Sequence, residues 1–186
     1  VILAGGKGTR MGSMSLDYPK PAILIDGSPL ISYLIDWAYK NNFVKVIIAG
    51  GYLFKKLVER IEQKYNVISK KIDQFTQEIS ICQEFIIIIK NTGEESLTGL
   101  RLLSLKSFLK FEDTFVLTYG DTLTNLSLVD LMKTAIKHNK LICMVAGYPD
   151  ARYGEIVLDG EKVLFFKEKA RPKFRVNRGF FVINSK

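Results

Sequence analysis

The residues with the clearest chemistry stand first in the chain. "VILAGGKGTRMG" (Val1–Gly12) sets Gly5, Gly6 and Gly8 behind a short apolar run, with Lys7, Thr9 and Arg10 among them. Three glycines in four positions leave backbone N–H groups free to face an anion, and let the backbone turn sharply and approach it closely. Thr9 adds a hydroxyl donor, and Lys7 and Arg10 add positive charge. This is chemistry suited to phosphate; the plain alternative is a strand-to-helix turn with incidental basic residues. Two familiar phosphate loops do not fit. The dinucleotide fingerprint needs G-x-G-x-x-G, and Gly6-x-Gly8-x-x-x-Gly12 is one residue too long. A P-loop needs Ser or Thr after its Gly-Lys, and here Gly8 follows Lys7.

The elements that must position such a loop alternate along the chain. Val1–Ala4, Val44–Ala49, Phe85–Lys90, Thr114–Tyr119 and Leu141–Ala146 read as strands. Pro29–Asn42, Leu53–Lys64, Leu97–Leu109 and Leu128–Asn139 read as helices from their apolar spacing. The four successive isoleucines of Phe85–Lys90 suit a strand covered on both faces. After Ala146 the pattern shifts to shorter strands, Glu155–Leu158, Lys162–Lys167 and Gly179–Asn184, with Asp159-Gly160 as a hairpin signal. Strands alternating with helices predict an α/β fold: a doubly wound, mostly parallel Rossmann-like sheet with helices on both faces and right-handed crossovers. Ligands in such sheets sit beyond the carboxyl ends of the strands. Three predicted strand ends carry chemistry: Gly5–Arg10, "KNTGEESLTGLR" (Lys90–Arg101) and "TYGD" (Thr118–Asp121). Their convergence favours a binding site over an incidental glycine turn.

Composition trims the alternatives. The 186 residues, 47% hydrophobic and 25% charged, suit a single soluble domain with a substantial core. No apolar run approaches the roughly 18 residues that cross a bilayer, and no secretory leader is visible, so a cytoplasmic protein is expected. Cys82 and Cys143 are isolated and lack metal-like spacing, which predicts two buried, reduced thiols. His138, the single histidine, lies in a polar helix-end context that argues against a Ser-His-Asp system. The net charge of +8 suits an anionic ligand. The lysines are spread out, and pairs such as Lys55-Lys56 and Lys70-Lys71 lack aromatic interleaving, so nucleic acid and membrane are not the expected partners.

Leu3-x-Gly5-Gly6-x-Gly8-Thr9-Arg10-Met11, followed by Pro19-Lys20-Pro21, resembles the signature of sugar-1-phosphate nucleotidyltransferases. "NTGEESLTGLRL", "FVLTYGDTLTNLSL" and "RYGEIVLDGEKVLFFKEK" are most similar to the glucose-1-phosphate cytidylyltransferase branch, as is a long polar insertion at Lys64–Glu84. The resemblance runs over essentially the whole chain. It implies a nucleotidyltransferase (GT-A-like) fold, with residues 1–146 as nucleotide-binding core and 147–186 as a small antiparallel sugar-phosphate part. It also implies transfer of a cytidylyl group from CTP to glucose 1-phosphate for nucleotide-sugar and surface-polysaccharide synthesis. Mg²⁺ is the implied cofactor and a homo-oligomer the implied assembly.

The same resemblance implies roles. Leu3, Ala4, Gly5, Gly6, Gly8, Thr9, Arg10, Thr98, Gly99, Arg101 and Gly120 would bind the nucleotide. Arg10 would hold the phosphates of the leaving pyrophosphate with its planar fork, and Lys20 would reach the α-phosphate as a point charge. Asp121 would ligate Mg²⁺, which prefers hard oxygen ligands and substrate phosphates. Tyr153, Gly154, Glu168, Lys169 and Asn177 would take the sugar phosphate; Arg152 precedes Tyr153 in the "RYG" motif. The chain departs from the family pattern at Arg178, where a small residue is the rule near the sugar. A second aspartate that completes the family's metal site is not found before Lys186, so a C-terminally truncated domain is expected, its metal leaning on phosphates and water. Two other readings stand beside this one: a sibling enzyme with another base or sugar, and a non-catalytic nucleotide-sensing domain. Arg10, Lys20, Asp121 and Lys169 together argue against the latter.

Overall fold

The computed structural model describes every residue except 9–16, 66–67, 83–84, 151–152, 170–171, 173 and 186. In chain order its elements begin with β1 (Ile2–Ala4), a 3-10 turn (Lys20–Ala22), the small ribbon β2 (Leu24–Ile25) and β3 (Ser28–Pro29), α1 (Leu30–Lys40), β4 (Lys45–Gly50) and α2 (Phe54–Tyr65). There follow β5 (Ile68–Asp73), β6 (Thr76–Cys82), β7 (Phe85–Asn91), α3 (Thr98–Ser104), α4 (Lys106–Leu109) and β8 (Thr114–Tyr119). The last are α5 (Leu128–His138), β9 (Ile142–Gly147), β10 (Glu155–Asp159), β11 (Lys162–Lys167) and β12 (Val176–Asn184).

One eight-stranded sheet organises the protein, in the order β5-β6-β7-β4-β1-β8-β12-β9. Its four central strands, β7, β4, β1 and β8, run parallel. The outer strands pair antiparallel: β5 and β6 on one side, β12 and β9 on the other. The chain winds outward from β1 through β4 to β7, then returns to β8 on the opposite side of β1. Strand order therefore reverses between β1 and β8, and the crevice at their carboxyl ends is where such sheets bind ligands.

Alternation explains the isoleucine run. Ile87 and Ile89 of β7 join the core face that holds α1 and α2, while Ile88 joins the opposite face with Leu105. Ile31, Leu34 and Ile35 of α1 and Leu57 and Ile61 of α2 pack on the first face; Leu3, Ile47, Ala49 and Leu117 supply the second. Helices thus cover both faces of the parallel centre, as the sequence predicts. Ser127 caps α5, its hydroxyl oxygen accepting from the Asp130 N–H at 3.3 Å, and Asn139 closes it in the left-handed conformation.

The structure differs from the expectation in three places. The polar stretch before β7 folds as the β5–β6 hairpin and widens the sheet. The helix expected over 97–109 breaks into α3 and α4 at Leu105, whose side chain is fully buried. Cys143, expected to be buried, is only half-buried on β9; the side chain of Cys82 lies outside the described set. β10 and β11 form a separate two-stranded ribbon turning at Gly160, which has φ +58°. Among the described residues no helix is long and apolar enough to cross a membrane.

Candidate active site

A cleft of about 530 Å³ opens at the reversal point. Three strand ends build it. The segment after β1 supplies Gly5–Gly8, the loop after β7 supplies Glu94–Thr98, and β8 delivers Tyr119, Gly120 and Asp121. Gly120 N donates to Leu3 O at 2.8 Å, which aligns the β8 end with the β1 end.

The three glycines after Ala4 do different jobs. Gly8 has φ +63°, a conformation glycine adopts without strain. A side chain on Gly6 would meet nothing within 4 Å, so its backbone lies open to the cleft. Gly5 is needed for space, because a Cβ there would land on the Arg101 guanidinium.

Lys20 reaches the cleft from the 3-10 turn, where Pro21 and Ala22 are buried. Pro21 packs so tightly on Gly120 that a Cβ there would sit 3.0 Å from Pro21 Cγ. The result is direct: Lys20 Nζ donates to Asp121 Oδ2 at 2.7 Å, with the two side chains 36% and 39% exposed. The proposed phosphate-binding cation and the proposed metal ligand therefore pair with each other. A second pair spans the mouth, Lys7 Nζ donating to Glu95 Oε1; that bond raises the Lys7 pKa above the ordinary lysine value. Glu94 and Glu95 were not singled out from the sequence, and their only signal was acidity inside an otherwise phosphate-suited stretch.

Arg101, placed by the sequence reading at the base and phosphates, lines the cleft but spends its donors elsewhere. Nη1 donates to Gly50 O at 3.2 Å, Thr92 Oγ1 at 2.7 Å and Gly93 O at 2.8 Å. Nη2 donates to Gly5 O at 2.8 Å and Glu94 O at 3.0 Å. Burial lowers its pKa from the ordinary arginine value, without discharging it at neutral pH.

Leu3, Ala4, Gly5, Gly6, Gly8, Thr98, Arg101, Gly120, Lys20 and Asp121 thus share one cleft. Gly99 sits on α3 outside the cleft lining. Thr9, Arg10 and Arg152 lie outside the described residues. The sugar-side residues are not part of the cleft lining. Tyr153 is 81% exposed, Gly154 lies against Phe166 and Glu168, and Lys169 has φ +46°. Asn177 approaches from a different direction: the start of β12 runs past the end of β8, where Gly179, at φ +80°, packs on Thr122 and Tyr119. Arg178 turns away to β9, donating to Tyr148 O while its stem covers Gly147.

Comparison with known proteins agrees with this geometry. Glucose-1-phosphate cytidylyltransferase of Salmonella typhi is 28% identical over 200 residues, covering 99% of this chain and 74% of that protein. D-glycero-alpha-D-manno-heptose 1-phosphate guanylyltransferase of Aneurinibacillus thermoaerophilus is 27% identical over 191 residues, covering 99% of this chain and 74% of its own. The crystal structure of HddC from Yersinia pseudotuberculosis has the same fold, with a TM-score of 0.66 at 20% identity over 98% of this chain and 75% of that one. The sequence profile described as nucleotidyl transferase matches residues 1–186. With that profile spanning the whole chain, and a glycine loop, lysine and aspartate converging at the reversal point of the sheet, the protein belongs to the nucleotidyl transferase family.

Proposed function

We propose that the protein transfers a cytidylyl group from CTP to glucose 1-phosphate, giving CDP-glucose and pyrophosphate. The observation that carries this reading is the single cleft in which the glycine loop, Lys20 and Asp121 meet. A phosphate oxygen of the sugar phosphate attacks the α-phosphorus; the bond from that phosphorus to the bridging oxygen breaks, and pyrophosphate leaves. No covalent enzyme intermediate is needed. The work of the protein is to align two polyanions and to stabilise the charge that builds between them.

The chain's own groups divide that work. The open backbone at Gly6 and Gly8 offers N–H groups to the triphosphate. Lys7 at the mouth and Arg10 in the same loop add charge to it. Lys20 moves from Asp121 to the α-phosphate, so the ion pair of the free protein is a cation held ready beside the reacting atom. Asp121, freed of that partner, would hold a divalent cation. The donor set fits Mg²⁺, which binds through one or two carboxylates together with substrate phosphates and water; among the described residues no cluster of three metal-ligating side chains is present. When bound, that cation neutralises charge on the reacting phosphates. On the acceptor side, Asn177 is carried by β12 to the end of the sheet that holds Asp121. Tyr153, Gly154, Glu168 and Lys169 at the ribbon would take the sugar phosphate.

Cytosine is favoured by the likeness to the Salmonella typhi enzyme, and the guanylyltransferase relative supports guanine as the second reading. Calorimetric titration with CTP, UTP, dTTP, ATP and GTP in the presence of Mg²⁺, paired with a pyrophosphate-release assay on glucose 1-phosphate, separates the two. CTP should bind most tightly and release pyrophosphate with glucose 1-phosphate. Tighter binding of GTP would transfer the protein to the guanylyl reading.

A further inference from the structure

We infer that Arg101 is a positioning residue which sets the shape of the phosphate loop from behind, and that it does so before any nucleotide arrives. The inference takes the cleft of the proposed reaction as its setting. Three observations lead to it. The guanidinium is 5% exposed and ties together backbone from the ends of three neighbouring parallel strands: Gly5 after β1, Gly50 at the end of β4, and Thr92 to Glu94 after β7. Its partners are carbonyls and one hydroxyl, which together take up both terminal nitrogens. The backbone is cut to fit it, since a Cβ on Gly51 would strike the guanidinium and would sit 2.7 Å from Gly93 O and 2.8 Å from Gly5 O. Gly5 and Gly51 are both absent from the residues with positive φ. Neither glycine is there to make a turn; each is there to admit the cation.

The geometry of the peptide unit turns this brace into a device for binding anions. In a trans peptide the N–H of the next residue points opposite to the carbonyl. A cation that gathers the carbonyls of Gly5, Gly93 and Glu94 to one side sends the N–H groups of Gly6, Glu94 and Glu95 to the other. All three of those residues line the cleft. Arg101 thereby sorts the backbone: carbonyls, which repel phosphate, face inward, and amides, which bind it, face outward. Its planar fork spans several acceptors at once, whereas a lysine ammonium is a single point. Its charge also remains beneath the cleft floor as a permanent attraction for a polyanion.

A brace and a ligand contact differ in the free protein, so the test begins there. Amide hydrogen exchange would be measured without nucleotide on wild type, R101K and Gly51→Ala. The latter keeps the arginine and its charge but denies it the seat. Both variants should exchange at least tenfold faster at the bonded amides beside the brace, Tyr52 onto Gly5 O, Thr92 onto Gly50 O and Gly93 onto Asn91 Oδ1, with the amides of β4 and β8 unchanged. Binding of CTP, CDP and inorganic pyrophosphate should weaken by a similar factor, about tenfold or more, because the loop and not one ligand atom has changed. R101A should regain loop protection with millimolar guanidinium. Unchanged loop exchange, with weakened nucleotide binding in R101K alone, would make Arg101 a direct contact and overturn the inference. Loss of protection throughout the sheet would make it a general stabilising residue and overturn it as well. Wild-type protein that binds no nucleotide yet shows the exchange pattern would sink the proposed reaction and leave the brace standing.

Discussion

β7 and β11 read alike and live differently. "FIIIIKN" and "KVLFFK" are both short, apolar and rich in branched or aromatic side chains. In β7, Phe85, Ile87 and Ile89 are at most 1% exposed. In β11 every residue is exposed, Phe166 at 59%. The difference is in the neighbours. β7 has a strand on each side and helical side chains on both faces, whereas β11 pairs with β10 in a ribbon of its own. Burial is therefore assigned by topology, and hydrophobic residues seen singly say little about where they end up. The chemistry divides along the same line. Residues at the ends of the packed parallel strands share a cleft, while those flanking the ribbon stand apart from it.

The widest separation between the two regions should appear in stability. Phe85→Ala should cost about 3–5 kcal/mol, the scale for a large side chain deleted from a core, and Phe166→Ala should stay within about 0.5 kcal/mol. Denaturant unfolding of both variants measures this, and equal costs would erase the distinction. Lys20→Ala comes next. Its side chain is partly exposed in the cleft, so the melting temperature should hold while kcat falls by about 10²–10³, the scale of losing a preorganised donor at a developing charge. A collapsed melting curve would move Lys20 from the chemistry to the scaffold. The smallest effect belongs to Glu95→Gln. Releasing Lys7 from its exposed partner should tighten triphosphate binding by about two- to fivefold at low salt, and the gain should fade as salt is raised. Weaker binding in that variant would show Glu95 taking part in holding the ligand.

Legibility in the sequence followed the same physical divide. The parallel centre was readable because strands covered on both faces carry uninterrupted apolar runs, as Ile86–Ile89 do. The β5–β6 hairpin was not, because stretches such as "SKKIDQFTQE" are mostly polar and carry no sustained apolar run. Leu105 hid the break between α3 and α4, since a buried leucine looks the same in one helix as between two. In the site, Gly5–Gly8 and Asp121 were legible by residue type and by their position at strand ends, and Lys20 through the resemblance carried by Pro19-Lys20-Pro21. Their pairing was not: Lys20 and Asp121 are 101 residues apart, and only the strand order brings them together. The intramolecular partners of Arg101 were not legible, because they are mostly backbone carbonyls, which every sequence has and none displays.

The position of β1 at the centre of the sheet has a consequence for the order in which the molecule assembles. β1 pairs on one side with β4, Ile2 opposite Ile48, and on the other with β8, Ile2 opposite Thr118. The first pairing closes a short segment of chain and the second a much longer one, whose added entropy slows the search for contact. During synthesis β1 thus waits for its more distant partner, with one edge open until β8 emerges. The Lys20–Asp121 side of the cleft depends on that closure, since Asp121 and Gly120 arrive with β8 and Pro21, beside Lys20, packs on Gly120. The cleft is begun early and completed late, and a nascent chain halted before β8 would carry the glycine loop and Lys20 without Gly120 and Asp121.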